Sequence, residues 1–145
     1  MGAMGEYAAK LEAAAAWLRD QAALDVCDAQ ARDFLAIERI VTPKRSGHLA
    51  DSETIDSISG GGGHARAIVS PHAVYAQIQN DGGTIHAHAG LGLKGKRPHT
   101  LHWDGGGFPL EVTLKGHGYV EKAEGLAAGA LRQAAEAVIE AGLNL

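Results

Sequence analysis

Leu110-Glu111-Val112-Thr113-Leu114-Lys115, followed after Gly116-His117-Gly118 by the segment Tyr119 to Gly142, decides the class of this chain. In the first stretch apolar and polar residues alternate strictly, the period of a strand with one dry and one wet face. In the second, Val120, Ala127, Leu131, Ala134 and Val138 return at helical spacing and form one apolar stripe. Small residues such as Ala123, Gly129 and Ala130 let that helix approach a neighbour closely. A one-faced strand beside a one-striped helix implies an α+β domain with an antiparallel sheet and the C-terminal helix packed on it.

Working back from that strand, Ile55 to Ser59 and Ala65 to Ser70 flank Gly60-Gly61-Gly62-Gly63, the pattern of a hairpin. Leu101 and Trp103 make a weaker partner strand. His72 to Asn80 reads as a short inserted helix with Val74 and Ile78 on one side, closed by Gly82-Gly83. Ahead of these, Glu6 to Val41 contains no glycine or proline. Its Leu11, Trp17, Leu18, Leu24, Ala31, Phe34 and Leu35 recur at spacings near three, four and seven, predicting a long helix with a break near Asp25 to Asp28. Thr42-Pro43 ends it, because proline disfavours helical geometry in the residue before it. Ser46 is placed to cap a short helix from Gly47 to Ser52. The order is long helix, short helix, antiparallel sheet with an inserted short helix and a long loop, then C-terminal helix. One domain spanning 6–145 is expected, with Met1 to Gly5 read as a disordered or vector-derived leader.

Composition narrows the function classes. The net charge of −4 argues against a general nucleic-acid binder or a membrane-surface protein. Cys27 is the sole cysteine, so no intramolecular disulfide forms, in keeping with a reducing cytoplasm. No apolar run has the length of a membrane span. The apolar content is largely alanine, which buries little surface per residue and leaves a lone subunit with small margin.

The chemistry-bearing residues form no recognised catalytic pattern. Gly60 to Gly63 lacks the Lys-Ser/Thr of a phosphate loop, and no periodic helix follows Gly90-Leu91-Gly92-Leu93-Lys94-Gly95-Lys96. Ser46, Ser52, Ser57, Ser59 and Ser70 lie in no nucleophile-elbow context, and Cys27 falls in mid-helix. His86 and His88 share a strand face, with His99 and His102 downstream, and a metal-dependent enzyme built on these four is the rival reading. They lack Cys-x-x-Cys, His-Glu-x-x-His or His-x-Asp partners, so no metal and no cofactor is expected. Lys94, Lys96 and Arg97 make a basic cluster that suits a phosphate backbone or an acidic neighbouring subunit. With His99 and Trp103 they are the candidate interface residues. The glycine-rich loop from Ala87 to Thr100 is expected to be mobile.

Three segments in order carry a family resemblance, covering about residue 35 to the C-terminus. Thr42-Pro43-Lys44-Arg45-Ser46-Gly47-His48-Leu49-Ala50-Asp51-Ser52 resembles the Pro-x-x-Ser/Thr-Gly-x-Leu-x-x-Ser segment of small neck proteins of lambda-like siphophages. These are variously called minor tail, head–tail connector or tail-completion proteins. His72-Ala73-Val74-Tyr75-Ala76-Gln77-Ile78-Gln79-Asn80-Asp81-Gly82-Gly83 resembles the family's Tyr-Ala-x-x-x-Glu-x-Gly segment, with Asn80 where Glu is usual. Gly118-Tyr119-Val120-Glu121-Lys122-Ala123 stands in the place of its Pro-Phe-Leu-x-x-Ala lead into the last helix, and the Ala87–Thr100 loop is long for the family. The resemblance implies structural roles for Pro43, Ser46, Gly47, Leu49, Tyr75, Ala76, Gly82, Gly83 and Ala123. It implies a virion protein of the head–tail neck, not an enzyme, made in the host cytoplasm. Such a subunit sits in or beside a ring with copies of itself and other neck or tail proteins, genomic DNA passing through. A tail terminator or head-closure stopper is the neighbouring alternative. The chain purified without a histidine tag should carry no stoichiometric metal. Zinc, nickel or iron that survives mild chelation and is lost on His86→Ala would reinstate the enzyme.

Overall fold

The computed structural model describes residues 2–44, 46–86 and 111–143. It is an α+β fold in the expected element order, formed as two compact units. The first unit comprises residues up to Ala73 and from Tyr119 onward, the second Val74–Gly118.

In the first unit, α1 (Ala3–Asp20) and α2 (Ala22–Val41) replace the single long N-terminal helix. The break falls at Gln21 (φ −126°, ψ −31°), ahead of the expected Asp25–Asp28. Asp25 lies in the first turn of α2, where a carboxylate suits the positive end of the helix dipole. It accepts from Trp17 Nε1 (2.9 Å) and from Gln21 Nε2 (2.9 Å), tying the two helices across the break. Asp25 therefore marks a helix start, which propensity alone reads as a weak spot. Thr42 is extended (φ −61°, ψ 135°), as a residue before proline should be, and stops α2.

Next come α3 (His48–Asp51), β1 (Glu53–Gly61) and β2 (His64–Pro71). The N-terminal cap of α3 is Gly47, left-handed at φ +77°, with no side-chain cap bond, so Ser46 does not take the capping role expected of it. β1 and β2 pair antiparallel from Glu53↔Pro71 to Gly61↔His64. Their turn, Gly62-Gly63, has both φ values positive (59° and 84°), which a two-residue hairpin turn of this hand requires and glycine supplies without strain. The four-glycine run is thus a tight turn with short strand ends, not a loose linker.

The C-terminal helix α5 (Tyr119–Leu143) packs along α2, and α2 in turn lies on the hairpin. Tyr119, Ala123 and Ala127, spaced by four, are its buried stripe. On α2, Ala22 and Ala31 are buried, and Gln30 Nε2 donates to the Leu131 carbonyl (2.9 Å) between the helices. Small side chains let the two helices approach closely, while Leu49 and Tyr119 supply the bulk.

In the second unit, α4 (Ala76–Asp81) precedes β3 (Gly82–His86), which pairs antiparallel with β4 (Glu111–Lys115). In β4 Leu114 is half-buried while Thr113 and Lys115 are exposed, the alternation read from the sequence. Its partner is β3, with Thr84 and Thr113 hydroxyls 3.0 Å apart across the ladder. Among the described residues the strands form two two-stranded antiparallel ladders, β1–β2 and β3–β4. Leu101 and Trp103, proposed as a strand, lie outside the described residues.

Near the end of α5, Gly142 is a close-approach position: a Cβ there would run into the Trp17 ring. Gly142→Leu should displace the indole from Asp25 and lower stability by about 1–3 kcal/mol, read as a lower urea midpoint. Gly129→Ala, where a Cβ meets nothing within 4 Å, should instead raise it by about 0.5–1 kcal/mol.

Candidate functional site

A cleft of about 390 Å³ opens between α2, β2 and α5. Its walls are mostly apolar, including Phe34, Val69, Val120 and Leu131, and its charged lining residues are Glu38 and Glu124. Glu38 is placed there by periodicity, one heptad after Ala31 on the buried face of α2, and is 2% exposed. Behind it Glu53, the first residue of β1, is fully buried.

Two carboxyl groups in one dry region oppose each other's ionisation. Burial, with the neighbouring Glu53 charge second, pushes the Glu38 carboxyl up to about 7. Burial raises Glu53 too, opposed by the Thr42 hydroxyl and the positive charges of Arg39 and Lys44. Neither Glu38 Oε2 nor Glu53 Oε2 has a hydrogen-bond partner among the described residues.

Thr42 bridges the end of α2 and the start of β1. Its Oγ1 lies 2.7 Å from the Glu38 backbone oxygen and 2.5 Å from Glu53 Oε1. One hydroxyl proton serves one acceptor at a time, so Thr42 divides its donation between the two. Donation to Glu53 favours the ionised carboxylate and so opposes the effect of burial there. Arg39 Nη2 donates to the Glu53 backbone oxygen at 2.6 Å, fixing the start of β1 against the same helix end.

Chemically this is an apolar cleft with an acid at its end that has no side-chain partner among the described residues, suited to a hydrogen-bond donor or a cation carried by an apolar body. Cys27 also lines it, half-buried.

The residues singled out from sequence divide into two sets. Leu49, Ala76 and Ala123 are buried, Pro43 and Tyr75 are half-buried, and Gly82 and Gly83 begin β3. Lys94, Lys96, Arg97, His99, Trp103, His88, His102 and the Ala87–Thr100 loop lie outside the described residues; His86 ends β3. Among the described residues no group of three metal-ligating side chains comes together. Glu38, Thr42 and Glu53 were not singled out by motif. Their signal was positional, a glutamate falling on the apolar stripe of α2 and a threonine one turn later before a proline. Comparison with family models, curated proteins and solved structures finds no match to this chain.

A raised acid favours folding while protonated and opposes it once charged. Its contribution is fully present below the unfolded value of 4.5 and is lost as pH rises through about 7. Between pH 4.5 and 7.5 Glu38 should therefore remove about 2 kcal/mol of stability. Glu38→Gln should flatten that slope in urea titrations at successive pH values. An unchanged slope would show that Glu38 ionises like an exposed carboxyl.

Proposed function

We propose that this chain is a structural subunit of a tailed phage particle, acting at the head–tail neck as a ring or ring-associated tail-completion protein. Two independent lines support the reading: the three ordered sequence segments that resemble the siphophage neck family, and the state of α1. The observation that carries it is that α1, an 18-residue helix, has no buried residue. Its Met4, Tyr7, Leu11 and Leu18 are exposed, Tyr7 by 64% and Leu11 by 55%. On α5, Leu126, Ile139 and Leu143 are exposed as well.

Scattered apolar residues on a surface need no explanation, but a helix with no buried residue and four large apolar side chains exposed along one face does. Beyond Trp17, which bonds Asp25 and lies against Gly142, such a helix has little to hold it in isolation, since helical stability in proteins comes mainly from packing one face. A repeated subunit supplies that packing, because each copy offers the same surface to its neighbour and closure leaves none unpaired. In this reading Lys94, Lys96, Arg97, His99 and Trp103 contribute contacts to other neck proteins. A net acidic ring lets duplex DNA pass without adhering.

Leu11→Asp and Tyr7→Asp replace exposed side chains, so stability should change by no more than about 0.5 kcal/mol. In a phage deleted for this gene and complemented with either variant, filled heads and tails should accumulate unjoined. Normal infectious yield from both variants would remove α1 from the function.

A further inference from the structure

The exposed face of α1 and the cleft beside α2 are complementary, and we infer that α1 of one copy seats in the α2–β2–α5 cleft of the next. The inference rests on the assembly reading above and names its contact. At roughly 100° per residue, Met4, Tyr7, Lys10, Leu11, Ala14 and Leu18 project within about 60° of the Tyr7 direction. Lys10 is the charged residue of that face; Glu6, Glu12, Arg19 and Asp20 point elsewhere around the helix. The cleft is the counterpart: apolar walls, with acidic Glu38 and Glu124 as its charged lining. Glu38 is 2% exposed and its Oε2 has no partner among the described residues.

A buried unpaired acid is unfavourable unless something pairs it, and an ammonium arriving on an apolar helix is the fitting partner. Lengths are compatible as well. The cleft runs roughly 17 Å along α2 from Cys27 to Glu38, and the α1 face from Lys10 to Leu18, roughly 12 Å at 1.5 Å per residue, fits within it. Placing Lys10 at Glu38 sets α1 antiparallel to the neighbour's α2, with Leu18 toward Cys27. The mode is an amphipathic helix in a groove, read through positions 7, 11, 14 and 18. Because helix and groove are different surfaces of one subunit, the contact is head-to-tail and propagates around a ring.

The test is a mixture of two full-length chains at high concentration under mild oxidation. One carries Leu18→Cys with Cys27→Ala; the other is tagged wild type with its native Cys27. A disulfide-linked heterodimer on a non-reducing gel, with Tyr7→Cys/Cys27→Ala giving none, is the expected result. In sedimentation velocity, Lys10→Glu should weaken association at least tenfold while leaving the circular dichroism of the subunit unchanged. Larger species that form without the crosslink, and are indifferent to Lys10→Glu, would overturn this contact while leaving assembly in place. A chain that stays monomeric at every concentration and also when mixed with neck partners would overturn both.

Discussion

Everything in the first unit depends on how the C-terminal end of α2 is held. This helix lies between α5 and the hairpin, and its last turn is tied to β1 by Thr42, Arg39 and the two buried glutamates. Pro43 forces the chain out of the helix, Thr42 turns its hydroxyl back on the Glu38 carbonyl, and Glu53 meets the same hydroxyl from the strand side. Removing Thr42 would leave Glu53 with no hydrogen bond for either carboxyl oxygen among the described residues, in a dry site. Loss of a buried partner of this kind typically costs about 1–3 kcal/mol. The surrounding core is mostly alanine, so little apolar burial is in reserve to offset such a loss.

Much of this fold was readable from the residues because local and global signals agree. The α5 stripe, the β4 alternation, the glycine turn and the stop at Thr42-Pro43 each have a mechanism that acts within a few residues. The misplacements have physical causes too. Asp25 lowers helix propensity in mid-helix but favours a helix start, and only its bonds to Trp17 and Gln21 show which applies. Alternation identifies a strand without naming its partner, which is why one sheet was expected where two ladders form. Ser46 and Gly47 both suit a cap, and the left-handed backbone at Gly47 decides between them.

The cleft was less legible, since a cleft is a property of three elements brought together. Glu38 was visible as an acid on an apolar stripe, a local conflict of the kind that natural chains keep where a site or a partner resolves it. Its proximity to Glu53 joins residues from a helix and a strand, and no spacing rule reaches across that turn. The basic and histidine-bearing loop offered the most conspicuous residue types. The described structure points instead to α1, whose alanine-rich sequence looks unremarkable until its Met4, Tyr7, Leu11 and Leu18 side chains are found exposed.

The two features make one physical account: a helix with an exposed apolar face and a groove whose buried acid meets no cation among the described residues, carried by the same small subunit. Amide hydrogen exchange, compared between the dilute subunit and the assembled particle, tests this most directly. The account predicts that amides of Ala3–Asp20 exchange rapidly in the free subunit and are strongly protected after assembly, while those of Ala22–Val41 are slow in both. Exchange across Ala3–Asp20 that is the same in both states would contradict it.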